Sequence, residues 1–392
     1  MQSSRYTIWT LVGIVCIAGM NQGLTLPLLA ILLEEQGVSS IANGLNAAAM
    51  YFGIILVSPW LEVPLRRLGY RSTLLLGLLI MTVATICLPF LHGLTIWFVL
   101  RMLMGIGDSI LHYSSQMWVA AITPPERRGR DLSIYGLAYG VGFSIGPLGI
   151  NLLQVGLWAP FMTLSLFAVI AFGLVNRLKN AYPPPVEQIA KGQNRYVLVV
   201  KLAWLALLPS FLYGFMESSL NGSFPIYALR IGLSAEWVSI ILPSFVVGSL
   251  VLQLPLGTLS DRIGRQKVMI LCAIAGGLAM MLIPLAEANV WLIMGLLALS
   301  GAAVGSFYSL GLAFASDILA EGMIPTAGII AGVNFSIASI MAPNVNGVFI
   351  DYGTPGWMFY LIGALLLSFS LAGLFFRSKT KRLPASSETI AS

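Results

Sequence analysis

Asp108 and His112 stand four residues apart in "GIGDSILHYSSQMWV" (105–119), inside a stretch otherwise apolar enough to cross a bilayer. A helix stacks them on one face, with Arg101 two turns before Asp108 and Gln116 one turn beyond His112. Counted from Thr95 to Ala121, Asp108 is the central residue, which puts it near the bilayer midplane. A lipid-facing carboxylate there is costly, so it is expected to face the protein interior. A carboxyl in that position can load and release a proton as its surroundings alternately hydrate, and His112 can exchange that proton or hydrogen-bond the acid. An equally buried acid could instead recognise a cationic substrate or serve structure alone.

A second midspan acid, Glu217, lies in "LYGFMESSLNGSFP" (212–225) among Tyr213, Phe215, Met216 and Asn221. A carboxylate beside aromatic and thioether groups can attract a lipophilic cation by charge and by π-face contacts. It could equally be the proton carrier, leaving Asp108 for substrate. Tyr51, Phe52, Tyr113, Phe307, Tyr308 and Phe335 are further candidates for lining a cavity.

These acids need helices in a membrane to position them. The chain of 392 residues is 58% hydrophobic and only 9% charged, with a mean hydropathy of +0.89. Ordinary soluble domains carry about 25% charged residues. A hydrocarbon core about 30 Å thick takes roughly 20 apolar residues per helix. That ruler predicts an all-α membrane protein of twelve transmembrane helices, near 7–30, 42–65, 72–91, 94–121, 132–154, 157–176, 199–228, 236–258, 267–286, 290–316, 323–349 and 356–376.

The 21 Lys and Arg give a net charge of +6, but their positions argue against nucleic acid. Nearly all fall in alternate connections or at the termini: Arg5, Arg66, Arg67, Arg71, Arg127, Arg128, Arg130, the 177–201 interval, Arg262, Arg265, Lys267 and the C-terminal tail. The intervening connections hold Glu34, Glu35, Glu236, Glu287 and Asp351, with Arg230 their lone cation. By the positive-inside rule both termini are cytoplasmic, in a multi-pass protein of the inner or plasma membrane. The first 20 residues lack a convincing cleavage site and read as a retained helix, not a leader. Cys16, Cys87 and Cys272 are too scattered for a metal site or a disulfide framework. No nucleotide-binding loop and no nucleophile–base constellation appears, so neither enzyme chemistry nor a cofactor is expected.

The longest polar interval, 176–201, contains three consecutive prolines and falls at the midpoint. Across it the chain repeats itself in order. "NQGLTLP" (21–27) answers "LNGSFP" (220–225), "LRRLGYRSTLLL" (65–76) answers "SDRIGRQKVMIL" (260–271), and "YGVGFSI" (139–145) answers "AGVNFSI" (331–337). The expected organisation is an N-terminal six-helix bundle (1–176), a cytoplasmic linker (177–198), a pseudo-symmetric second bundle (199–378) and a cytoplasmic tail (379–392). Parallel repeats with a pathway between them are an architecture of secondary transporters.

The residues also resemble the major facilitator superfamily over essentially the whole chain. "GTLSDRIGRQK" (257–267) is similar to its gating motif, G-x-x-x-D-R-x-G-R-[RK], at Gly257, Asp261, Arg262, Gly264 and Arg265. The physical sense is a glycine turn and an acid at a helix end beside mobile cations, an ion pair able to form in one state and break in another. In the first-half counterpart "LEVPLRRLGYR" (61–71), Arg66 holds the expected aspartate position and Glu62 replaces the leading glycine. This weak first copy resembles a YcaD-like branch of the family, and Glu62 is the available substitute acid. "RMLMGIG" (101–107) resembles the fourth-helix motif R-x-x-x-G-x-G, which implies a part for Arg101 in proton coupling. The alternative is an arginine locked in structural hydrogen bonds, since an unpartnered one inside a span costs at least about 2.5–3.5 kcal/mol. "YGVGFSIGPLGI" (139–150) resembles the fifth-helix motif of antiporters at Gly142, Gly146 and Pro147, with Gly149 one place early. Such small residues also let any two membrane helices approach closely.

The resemblance implies proton-coupled antiport that exports small amphipathic or lipophilic compounds, multidrug-type in breadth, by alternating access. The expected partners are a small-molecule substrate, protons and membrane lipids, with the protein a monomer. A metabolite or sugar carrier, with a more polar cavity, is the alternative. A lipid flippase, with a cavity open to the bilayer, is another, and a non-transporting sensor is a third.

Overall fold

A computed structural model describes residues 4–183, 195–319 and 323–376. Among them every regular element is a helix, and twelve stretches are long and apolar enough to span a bilayer. In the first half these are α1 (Ser4–Glu35), α2 (Ser40–Val57), α3 (Glu62–Cys87), α4 (Leu94–Ile122), α5 (Pro125–Ile145, continued as a 3₁₀ helix to Gln154) and α6 (Trp158–Asn176). The second half holds α7 (Arg195–Gly222), a short α8 (Phe224–Arg230), α9 (Ala235–Ile263), α10 (Arg265–Leu282), α11 (Val290–Val304), α12 (Phe307–Ile318), α13 (Ile324–Tyr352) and α14 (Trp357–Phe375). Fourteen helices make twelve spans because α11 and α12 share one, broken at Gly305–Ser306, and α8 lies outside any.

The spans agree with those expected, with one instructive difference. The third begins at Glu62, ten residues before the position read from hydropathy. The basic run 66–71 is itself helical, interrupted at Gly69, whose φ of 81° is left-handed. Glycine takes that conformation without the Cβ clash that other residues meet. Gly264 turns the corresponding corner between α9 and α10 with φ 98°.

Two six-helix bundles result. In the first, α1 packs on α5, and α3 and α2 on α4; in the second, α7 packs on α13, α9 on α11 and α10 on α14. The duplication reaches single atoms. A Cβ added at Gly105 of α4 would strike the Met50 carbonyl oxygen of α2, and one at Gly301 of α11 would strike the Phe245 carbonyl oxygen of α9. Each half thus crosses two helices backbone to backbone, as small residues in lipid permit.

The halves meet where α2 packs on α13 and where α5 with its 3₁₀ extension packs on α9. Hydrogen bonds between the halves gather at one end, here called the Arg230 end. Asp351 of α13 accepts from the Ser40 and Ile41 backbone N–H groups at 3.1 Å each, which places a carboxylate on the N-terminus of α2. Such an anion satisfies orphan donors and suits the helix dipole. Asn151 donates to Ser239 at 3.1 Å, and Gln154 to Glu236 at 3.0 Å. The expected linker's residues 184–194 and the expected tail, 379–392, lie outside the described residues.

Candidate functional site

Asp108 is 6% exposed on α4. Its Oδ1 makes no hydrogen bond, and the nearest basic atom is His112 Nε2 at 3.6 Å. The i,i+4 stacking read from the sequence is therefore present. His112 is less buried, and its Nδ1 lies 3.2 Å from the Tyr135 hydroxyl of α5. Tyr139, one turn on, sets its ring edge-on to the imidazole at 5.0 Å and donates to Gln22 of α1. Gln116, by contrast, is exposed.

Arg101 does not join this group. It is 2% exposed, and its Nη2 donates to the Thr25 and Leu26 carbonyls at 3.1 Å each. These oxygens immediately precede Pro27, a residue that interrupts the hydrogen-bond ladder of α1. These two bonds tie α4 to α1. Among the described residues its Nη1 has no hydrogen-bond partner, and Tyr51 is its electrostatic neighbour.

Glu217, also 6% exposed, shares a hydrogen bond with Tyr213 one turn before it on α7. The Asn221 side chain donates to the Glu217 carbonyl at 2.8 Å. These three line a cavity with Phe143 and Pro147 from the first half and Leu242, Pro243, Phe245 and Val246 of α9. The cleft is narrow in this conformation, with about 20 Å³ of free volume. Apart from Glu217, Tyr213 and Asn221 its walls are apolar. Tyr139 lies within electrostatic reach of both acids, and Tyr51 within reach of Glu217, so one polar centre spans the two bundles.

Phe335 of α13 gathers three of the proposed aromatics, its centroid 6.3 Å from Tyr51, 6.2 Å from Tyr213 and 6.1 Å from Tyr308. The other candidates fall elsewhere. Phe307 is fully buried against Phe369 of α14, and Met216 faces the core. Phe52 pairs with Phe98. Tyr113 has Glu62, Arg66 and Tyr70 of α3 as its electrostatic neighbours. Helical spacing could not separate these because aromatics pack on every side of an apolar helix.

At the opposite end from Arg230, Asp261 pairs with Arg265 at 3.1 Å, and Arg265 reaches Asp317 of α12 at 3.0 Å. Asp317 was not anticipated, since it lies far along the chain at the close of another span. Gly257 stands in open space, Gly264 makes the left-handed turn, and Arg262 is exposed. Glu62 pairs with Arg66 at 2.6 Å within its own helix turn. Gly142 and Gly146 bring α5 against the backbone of α1, and Gly149 meets the Leu24 side chain. Pro147 reaches the Glu217 cavity. Ser115, Tyr135, Tyr139, Gln22, Phe143 and Phe245 were likewise not read from the sequence. Tyr135 and Tyr139, four apart on α5, were the available signal. No group of His, Cys, Asp and Glu among the described residues could hold a metal ion.

Residues 11–244 and 206–391 match the family profile of the Major Facilitator Superfamily. The uncharacterized MFS-type transporter YfkF of Bacillus subtilis is 38% identical over 372 residues, 94% of this chain and 95% of that protein. The uncharacterized MFS-type transporter YcaD of Escherichia fergusonii is 23% identical over 77% of this chain and 78% of its own. The chromaffin granule amine transporter of Rattus norvegicus is 26% identical over 85% of this chain and 64% of that protein. Among solved structures, the D-xylose-proton symporter superposes with a TM-score of 0.77 at 15% identity, covering 95% of this chain and 99% of that one. Twelve spans in two duplicated bundles, with a cavity where the halves meet, agree with these likenesses, and the chain belongs to the Major Facilitator Superfamily, a membrane transporter and not an enzyme.

Proposed function

We propose that this transporter is a proton-coupled exporter of small amphipathic or lipophilic compounds, with Asp108 and His112 handling the proton and Glu217 the substrate. The observation that carries this reading is the placement of two buried carboxyls in different company. Among the described residues Asp108 has only an imidazole within ion-pair reach, so none of them permanently neutralises it, and a carboxylate shut away from water is costly. A proton removes that cost before the pathway occludes and can leave when water returns. Glu217 instead sits in a cavity of rings and aliphatic groups suited to an organic cation. A polyol would find few partners on those walls, and the likeness in sequence to the chromaffin granule amine transporter supports a cationic cargo over a sugar.

Sidedness is read from charge. With the basic connections cytoplasmic, the Arg230 end faces outward and is fastened between the halves, while Asp261, Arg265 and Asp317 pair within the second half. On that sidedness the hydrogen bonds between the halves hold the outward end together, which supports reading the conformation as inward-facing. The antiporter-like glycines of α5 favour export.

The test is ΔpH-driven uptake into everted vesicles of ethidium, a cation, and chloramphenicol, a neutral amphipath. Asp108→Asn is expected to abolish gradient-driven uptake of both while preserving exchange of preloaded ethidium. Glu217→Gln is expected to lose ethidium and keep chloramphenicol. Full gradient-driven transport of both compounds by Asp108→Asn would remove Asp108 from the mechanism.

A further inference from the structure

The protons around His112 can be counted from their partners. Ser115 Oγ lies 2.6 Å from the Leu111 carbonyl oxygen, which can only accept, so the single Ser115 proton occupies that bond. Its other local neighbour, the His112 carbonyl at 3.3 Å, is also an acceptor. Ser115 Oγ therefore accepts from the Tyr135 hydroxyl, 2.7 Å away, a much shorter contact than the 3.5 Å from that hydroxyl to the His112 carbonyl. With its proton committed there, the Tyr135 oxygen is left to accept from His112 Nδ1 at 3.2 Å. A neutral imidazole has one N–H. If Nδ1 holds it, Nε2 carries a bare lone pair, and Nε2 is the nitrogen facing Asp108 Oδ1 at 3.6 Å.

We propose that Ser115 and Tyr135 are positioning residues that fix His112 as its Nδ1–H tautomer, making Nε2 the acceptor and outlet for the Asp108 proton. An approach of less than an ångström brings the two atoms to hydrogen-bond distance. The Asp108 O–H bond then breaks as a His112 Nε2–H bond forms, leaving carboxylate and imidazolium as a neutral pair. The Nε2 proton next passes to water, which restores the imidazole and leaves Asp108 ionised. Burial suits the direction: the Asp108 side chain is 8% exposed and that of His112 is 27%. Nδ1–H stays with Tyr135 throughout, so the ring does not need to turn over. The groups facing the imidazole are Asp108 on its own helix and Tyr135 and Tyr139 on α5, with Glu217 of α7 beyond Tyr139. Neither tyrosine competes as a cation for the proton.

The purpose of this relay rests on the proton-coupled reading, but the tautomer does not, and the experiment separates them. The full chain, carrying His92→Gln and ¹⁵N-histidine, is placed in lipid nanodiscs so that His112 gives the single histidine signal. Nitrogen shifts at a pH where the ring is neutral are expected to show mainly Nδ1–H, the form free histidine disfavours. Tyr135→Phe keeps the ring and removes the acceptor, and should return the population to Nε2–H. Ser115→Ala frees the Tyr135 proton to donate into Nδ1, and should do the same. A wild-type ring in the Nε2–H form, or variants without effect, would overturn the proposal. In everted vesicles Tyr135→Phe should slow ΔpH-driven ethidium uptake at least about tenfold without weakening ethidium binding. This falls below the 10²–10⁴ of a direct proton-transfer group because Tyr135 acts through His112. An unchanged uptake rate overturns the relay. If the tautomer is as expected but wild-type vesicles move no ethidium on a gradient, the export reading fails and the hydrogen-bond ladder stands.

Discussion

Arg230 fastens the two bundles at one end, and its loss should release them by a measurable amount. The guanidinium reaches Glu34 of α1 at 2.8 Å and the Ser40 hydroxyl of α2 at 2.8 Å, both across the interface. Within its own half it holds the Ile350 carbonyl at 2.9 Å and Asp351 at 3.4 Å. Only the first two bonds break when the halves part at this end. A charged hydrogen bond contributes about 1.5–3 kcal/mol when shielded, and an exposed ion pair about 0.2–1 kcal/mol. The Arg230 side chain is 32% exposed, so the lower part of that range applies. Together the two links favour the closed end by about 1.5 kcal/mol, a factor of about ten in the conformational equilibrium. Burial pulls the Arg230 guanidinium down, but the hydrogen bonds and charges of Glu34 and Asp351 outweigh it and leave it raised. A base held above its ordinary range contributes its bonds at every pH below that range, so Arg230 itself does not open the end between about pH 5 and 9. The assay is the spin–spin distance between labels at Gln36 and Ala288, one per half, in a chain with Cys16, Cys87 and Cys272 replaced. Arg230→Gln should raise the long-distance population about tenfold relative to the short one, and Arg230→Lys, which cannot hold both partners in the same fork, should fall between. An unchanged distribution in Arg230→Gln would refute the reasoning and leave the α2–α13 backbone contact as the fastening.

Other expectations follow from the same contacts. Asp261→Asn and Asp317→Asn each take one anion from Arg265, so either should lower turnover more than substrate affinity, as steady-state uptake over a range of ethidium concentrations would reveal. Equal effects on both parameters would reduce this cluster to a topological signal. Gly105→Ala and Gly301→Ala force a methyl group into a facing carbonyl and should each cost about 1–3 kcal/mol, read as a lowered melting temperature in detergent. A reporter fused after Lys201 should be cytoplasmic and one at Gln36 external, and the reverse result in a protease-protection assay would overturn the assigned sidedness.

Hydropathy located the spans because membrane crossing is a demand on length and composition, which a single chain displays openly. It placed the third start late because Arg66, Arg67 and Arg71 lower the local average, although charged residues at a membrane surface can continue a helix. The i,i+4 relation of Asp108 and His112 was legible because it is internal to one helix. Partnerships between helices were not. Tyr135 reaches His112, Arg265 reaches Asp317, and Arg230 reaches Glu34 only after bundles assemble, and no periodicity within one span encodes its neighbour. Arg101 shows the same limit from the other side. Its cost inside a span was evident, but its partners are carbonyls beside Pro27, which every residue possesses and none advertises.

Duplication explains why packing recurs while chemistry does not. Gly105 and Gly301 make the same backbone crossing in each half, and Gly69 and Gly264 the same left-handed corner. At the spacing that aligns Gly105 with Gly301, however, Arg101, Asp108 and His112 correspond to Leu297, Val304 and Tyr308. The first two counterparts are fully buried apolar residues, and the third joins the rings around Phe335. Each half nevertheless carries one buried acid, Asp108 on α4 and Glu217 on α7, and each charge is costly in a dry interior. On the proposed reading the proton pair lies on α4 and the cation-binding acid on α7, one ionisable duty in each half. Tyr139 and Tyr51, within reach of the acids, lie where the occupancy of one can alter the other. Coupling by this route requires that loading Asp108 disfavour cargo at Glu217, and linkage makes the effect reciprocal. Ethidium bound by the purified protein should therefore release protons in Asp108-intact protein and none in Asp108→Asn, measured with a pH dye in weak buffer. Equal release from both would move the proton site to Glu217 and make competition at one carboxylate, not communication between two, the basis of exchange.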